Sequence, residues 1–284
     1  MKPQFIATEA LLPPVMAQKL EEVGVTKVNR VGLTTFLLAV TGGMFIALAF
    51  VFYTTVMIGA EALPFGLTKL AGGLVFSLGL VLVIICGGEL FTSSVLCAVA
   101  KASNRISWRQ LWCNWTLVYL GNMLGALTLV VLIWLAKLHW TAEGSWGINA
   151  MKIAQHKLSY GFFQAMTLGL LCNLMVCLAV WMTFSCRSVS DKIAVLLLPI
   201  SMFVACGFEH SIANLFMIPM GIMIQHFASD GFWALTPYSA SDFSSLNLEN
   251  FITANLLPVT FGNILGGLMV SAIYWFCYRR QAIS

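Results

Sequence analysis

CGFEHSIAN, residues 206–214, interrupts one of the most apolar parts of the chain. IAVLLLPISMFVA (193–205) leads into it and LFMIPMGIMI (215–224) leads out. Glu209, His210 and Asn214 therefore stand among side chains suited to hydrocarbon, where ionisable groups are costly and mark function. A single helix over 193–224 would reach about 48 Å, far beyond the roughly 30 Å of bilayer hydrocarbon. A helix broken at Gly207-Phe208-Glu209 removes the excess. The run 66–100 has the same problem and the same interruption, Gly87-Gly88-Glu89. Broken backbone survives at membrane depth only where it faces protein or a water-filled cavity. The two breaks thus predict a polar chamber inside the protein.

The composition agrees with a lipid bilayer as the surrounding medium. Hydrophobic residues make up 60% of 284 and charged residues only 9%, against about 45–50% and about 25% in a soluble domain. Apolar runs at 31–57, 66–100, 112–136, 158–185, 193–224 and 251–278 predict six crossings. The expected fold is an all-α polytopic membrane protein, one integral domain over 1–284. A segment 1–30 precedes a first repeat at 31–136 and a second at 158–278. Residues 1–30 carry acids and Pro13-Pro14 without a long apolar stretch, unlike a cleavable signal peptide. Eleven of the 15 Lys and Arg fall in the amino-terminal segment from Lys2, the second and fourth loops and the tail, which predicts both termini on the cytoplasmic side. Trp134, Trp140, Trp146, Trp233 and Tyr238 are expected at the outer interface.

The eight cysteines include no CxxC pair and read as buried hydrophobes. No metal-ligand spacing, glycine-rich phosphate loop or nucleophile elbow occurs, so no cofactor, metal or catalytic residue is expected. The net charge of +4 lies along membrane-flanking segments and reports orientation, not nucleic-acid binding.

The chain also repeats. Phe36-x-x-Ala39-x-Thr41-x-Gly43 matches Phe162-x-x-Ala165-x-Thr167-x-Gly169, the two G-x-E breaks match, and Gly121-Asn122 to Gly125 matches Gly262-Asn263 to Gly266. A unit of three crossings places its second copy in the opposite orientation. Inverted repeats of this kind hold their binding sites near mid-membrane at broken helices, whose amino-termini attract anions.

At these residues the chain resembles the formate/nitrite transporter family. Ile85-Cys-Gly-Gly-Glu-Leu-Phe-Thr-Ser93 is similar to one signature of the family, and Gly169-Leu-Leu-Cys-Asn-Leu-Met-Val-Cys-Leu-Ala179 to a second. KASNRISW (101–108), GFEHSIANLFMIPMGI (207–222) and PVTFGNILGG (258–267) extend the resemblance over essentially the whole chain. It implies an aquaporin-like fold, a homopentamer with one pore per subunit, a bacterial inner-membrane location, and passage of formate and similar small monovalent anions with or without a proton.

The resemblance also bears on single residues. His210 is expected to offer the anion a hydrogen bond or a proton at the narrowest point; the alternative is a core histidine bonded to a carbonyl. Thr92 is implied as its partner across the pore, or else satisfies its own helix. Asn173 and Asn214 are implied as uncharged donors in the pore, against plain inter-helix hydrogen bonding. Lys157 is implied to supply positive potential; from sequence alone it is a base at the outer end of the fourth crossing, snorkelling to water. Phe76, Leu80, Leu90, Val176 and Phe203 match constriction positions, which gate by size and dewetting. Glu89 and Glu209 are read as structural, accepting backbone N–H bonds in the broken loops. Residues 1–30 look like an amphipathic helix at the cytoplasmic face, linked in the family to pH-dependent gating, or a simple interfacial anchor.

Nitrite or hydrosulfide passage competes within the family. A water or glycerol channel would carry paired Asn-Pro-Ala signatures, and GGELFTS and GFEHSIA stand in their place. A membrane enzyme using Glu209 and His210 as acid and base lacks a third catalytic group.

Overall fold

In the computed structural model, which describes residues 10–280, every regular element is a helix. Lys2, counted above toward the charge of the amino-terminal segment, lies outside the described residues. The helices are α1 (Pro13–Asn29), α2 (Gly32–Val56), α3 (Phe65–Gly87), α4 (Phe91–Ala102), α5 (Trp108–Leu135), α6 (Ser145–Leu158), α7 (Phe162–Thr183), α8 (Val189–Ala205), α9 (Ser211–Phe227) and α10 (248–278), with short connections between them except for 228–247, which holds single helical turns at Asp230–Trp233 and Ala240–Phe243. α2, α3, α5, α7 and α10 are each long and apolar enough to cross a bilayer. α8 and α9, 17 residues each, fill the fifth apolar run end to end. The chain is a multi-pass membrane protein.

Both interruptions are built alike. Gly87 and Gly207 take left-handed backbone, φ +87° and +71°, a conformation that L-residues with side chains resist. The following amides close the helix ends: Gly88 N–H donates to Val83 O (2.8 Å) and Phe208 N–H to Phe203 O (2.9 Å). This is the bond that ends helices at a glycine. The breaks predicted at the two G-x-E sequences are therefore present. Their arms differ: 23 residues precede the first break and 12 follow it, against 17 and 17 at the second.

Two asparagines receive the freed backbone. Asn122 on α5 donates to Ala39 O (2.7 Å) and Glu89 O (2.8 Å) and accepts from Phe91 N–H (2.8 Å). Asn263 on α10 donates to Gly169 O (2.8 Å) and Glu209 O (3.0 Å) and accepts from Ser211 N–H (2.9 Å). Close helix contact brings them there. A Cβ on Gly121 or Gly125 would collide with the Phe36 or Val40 carbonyl of α2, and one on Gly262 or Gly266 with the Met166 or Leu170 carbonyl of α7.

These contacts correct the repeat register. They equate Phe36 with Met166, Ala39 with Gly169 and Val40 with Leu170, one helical turn beyond the match of Phe36 to Phe162. Residues four apart share a helix face, so an apolar pattern alone leaves the turn undetermined.

Three further features depart from expectation. α6 is a helix of its own ahead of the fourth crossing, burying Trp146, Met151 and Ala154. Trp146 is no interfacial anchor: it is fully buried, its indole N–H 3.0 Å from Thr55 Oγ1. α1 packs on protein, with Gly24 against Cys97 and Ala100 of α4. Buried Glu21 fastens it, accepting from Ser103 Oγ (2.6 Å), Arg105 Nη1 (2.8 Å) and Arg279 Nε (2.9 Å). Burial pushes this carboxyl upward, but Arg279, Ser103 and Arg105 outweigh it and hold the group below its usual value.

A depressed carboxyl stabilises docking above the ordinary carboxylate range and loses that contribution as pH falls through the lowered value. Hydrogen exchange of α1, corrected for intrinsic rates, is expected to accelerate below about pH 4. Glu21→Gln should accelerate it above that range, where the parent carboxyl is charged, and flatten the dependence. Separately, Asn263→Leu strands several buried polar groups at about 1–3 kcal/mol each; thermal unfolding in detergent should shift down by several degrees.

Candidate functional site

The second break looks into a chamber of about 330 Å³. Phe50, Phe76, Phe203, Lys157, Glu209 and His210 contribute to its wall, with Lys69 and Lys152 farther out. Beyond Phe76, Phe203 and His210 lies a second space of only about 10 Å³, lined by Ile46, Leu80, Leu90, Val176 and Ile200 as well. A single water needs about that much room, so side chains, most of them apolar, nearly fill the space here. All five residues expected at a constriction meet around this one void. The Phe76 and Phe203 rings cross edge to face, centroids 5.9 Å apart. Leu90 and His210 are the tip residues of the two breaks, so each break contributes one side chain to the closure.

His210 sits at the junction of chamber and void. Its ring stacks near Phe203, centroids 6.1 Å apart. Nδ1 accepts the Ala213 amide N–H at 3.1 Å, capping α9. In the neutral ring the proton therefore lies on Nε2, which faces Thr92 Oγ1 at 3.0 Å. Donation from Nε2–H leaves the Thr92 hydroxyl hydrogen without an acceptor among the described residues, available to a guest. The histidine and threonine paired in the sequence reading thus touch.

Glu209 departs from its expected bonds. Its carboxylate takes side-chain donors, not backbone amides: Lys157 Nζ on Oε1 (2.8 Å), Asn214 Nδ2 (2.7 Å) and Asn255 Nδ2 (3.1 Å) on Oε2. Its own amide donates to Leu168 O at 3.3 Å. Glu89 likewise binds cations, Lys27 Nζ at 2.7 Å and Arg30 Nη1 at 2.5 Å, both from the end of α1. The reason is proximity: the breaks' amides are already taken by Asn122, Asn263 and helix carbonyls, while a carboxylate in low dielectric demands a cation.

Lys157 ends α6 and does not snorkel; it is 12% exposed and lies 5.7 Å from the Phe50 ring. Asn214 is tied to Glu209 and to Asn255 Oδ1 (2.6 Å), away from the chamber wall. Asn173 donates to Asn263 O at 2.6 Å, an inter-helix bond outside both spaces. The alternative given for the two asparagines is the one their geometry supports.

Sequence reasoning missed Asn255, fully buried and donating to Lys157 O (2.9 Å) besides Glu209. A π-turn over Phe251–Leu256 places it there, and such turns cluster at functional sites. Its one visible signal was a polar side chain inside the sixth apolar run. Asn122 and Asn263 were noticed as repeat members without a role, and Lys27 and Arg30 only as charges.

The family model for the formate/nitrite transporter matches residues 14–276. The chain is 54% identical over 274 residues to the formate channel FocA of Escherichia coli, covering 96% of both. It is 45% identical to FocA of Haemophilus influenzae, covering 95% of both. A solved pentameric formate channel with formate bound superimposes with a TM-score of 0.84 at 55% identity, over 87% of this chain and 97% of that one. None of these is an enzyme.

Lys157→Met is expected to leave the buried Glu209 carboxylate unpaired, a loss of about 3–5 kcal/mol. Thermal unfolding, followed by labelling of the buried Cys172 and Cys177 thiols, should show it. Adding Glu209→Gln should recover much of the loss; no recovery would mean the pair is not what holds the break.

Proposed function

The chain belongs to the formate/nitrite transporter family, and from that premise we propose that it is a channel for formate and similar small monovalent anions. Six crossings in two inverted halves would form each pore, with the domain boundaries given above, and five copies would assemble. The protein would reside in the bacterial inner membrane with both termini cytoplasmic, as the basic residues favour.

The observation that carries the reading is the His210–Thr92 bond at the boundary between a chamber with charged groups in its wall and a narrow apolar void. A bare carboxylate pays a large desolvation cost to enter such a void, and a neutral acid pays far less. The Thr92 hydroxyl and, on rotation of that bond, His210 Nε2–H are donors placed where the anion leaves water. Because Nδ1 caps α9, an imidazolium able to release a proton requires breaking the Ala213 bond, at about 1 kcal/mol. The neutral ring needs no such change, so we assign His210 the role of a hydrogen-bond donor, with proton relay tied to uncapping. Phe76, Phe203, Leu80, Leu90 and Val176 would exclude larger anions. Lys157, paired with Glu209, would position the second break together with Asn214 and Asn255, which bind the same carboxylate, and Asn173 would hold α7 against α10.

Purified protein in liposomes should take up labelled formate, with nitrite and hydrosulfide tested as competitors. His210→Phe should cut flux about tenfold or more, the value of a good hydrogen bond to a charge. His210→Asn keeps both a cap and a neutral donor and should recover part of it. Full flux in His210→Phe would overturn the assignment.

A further inference from the structure

Beside Lys157 and Glu209, the chamber holds a titratable couple that the proposed passage does not use. His156 Nε2 and Tyr160 Oη lie 3.0 Å apart, with ring centroids 5.3 Å apart. Both line the chamber. The Tyr160 hydroxyl stands 3.9 Å from the position a Cβ on Gly207 would take, so the couple overlooks the second break. Unlike His210, His156 is exposed.

The charges facing His156 decide what its protonation does. They are Lys152 and Lys157 on its own helix, Lys69 on α3, Glu61 just before α3, and Glu209 and His210 at the break; Tyr53 and Tyr160 add phenols. Lys157 is cancelled by Glu209 at 2.8 Å. The two outer lysines against Glu61 leave one net positive charge, and a protonated His156 would double it.

The hydrogen bond adds direction to that charge. While Nε2 accepts, the Tyr160 O–H points at the imidazole and the phenol offers the chamber only lone pairs, which repel an anion. Once the ring takes a proton from solution, Nε2–H donates to Oη and the phenolic hydrogen turns outward as a donor. We propose that His156 and Tyr160 form a protonation-dependent loading site for the small carboxylate, one that sets how readily the chamber fills and not how fast the constriction passes its guest. The inference rests on the anion-channel reading above and deepens it.

The test is formate exchange across proteoliposomes holding the full chain, with equal pH on both sides, at pH 5.5 and 7.5. The half-saturation concentration of each variant is divided by that of the parent at the same pH, which cancels the protonation of formate itself. His156→Gln should raise this ratio about threefold to tenfold at pH 5.5, the effect of one unit charge at about 10 Å in a partly screened site, and little at pH 7.5. His156→Arg, permanently charged, should lower the ratio at pH 7.5 and leave it near one at pH 5.5. Tyr160→Phe should reproduce part of the glutamine effect at low pH. A ratio for His156→Gln that is equal at both pH values, or an arginine variant that behaves like glutamine, overturns the loading site while flux persists. Absence of formate exchange in the parent protein overturns the channel reading instead, so the two failures are distinct.

Discussion

Backbone that stops being helical inside a membrane must find hydrogen-bond partners within the protein, and here two carboxamides supply them. Asn122 and Asn263 each satisfy one amide and two carbonyls around a break. An asparagine suits the task because a single neutral side chain offers both donors and an acceptor. It reaches the break only because glycines let α5 lie against α2, and α10 against α7, at backbone contact. Everything proposed for the pathway stands on this. The breaks hold Leu90 and His210 at their tips, and the tips meet at the closure.

The two halves share that scaffold but not their electrostatics. Glu89 is gripped by Lys27 of α1 and by Arg30 just after it, both outside the repeat. Glu209 is gripped by Lys157 of α6, with Asn214 and Asn255 completing its shell. A buried carboxylate without a cation would be costly, so α1 and α6 are as necessary to the breaks as the crossings themselves. α1 is in turn fixed through Glu21 to Arg105 and Arg279. The amino-terminal helix thus links the first break to the last residues of α10. Through Lys27, Arg30 and Glu21 the first break and the chain's last described residues share one charged network.

Much of the site was legible before any fold was known. The excess length of two apolar runs located the breaks, and Glu209 and His210 stood out as polar groups at membrane depth; Thr92 came from the family resemblance. The five constriction positions came from family resemblance, and they gather around one void. Asn173 and Asn214 lie on α7 and α9, and their amides bind Asn263 O and the Glu209 carboxylate, buried polar groups that the sequence does not show to be near them. Asn255 was missed because one polar residue in an apolar run has no distinguishing neighbour in sequence.

The amino-acid sequence by itself determined a membrane-embedded, twice-interrupted helical chain, since apolar length and misplaced charge are properties of a linear string. Only the tertiary structure decided which turn of α2 answers which turn of α7, because helix periodicity makes residues four apart interchangeable until a contact distinguishes them. It alone chose the partners of the buried carboxylates, 52 residues away for Lys157 and 62 for Lys27. Pairing of charges in low dielectric depends on distance in space, and separation along the chain carries no record of it.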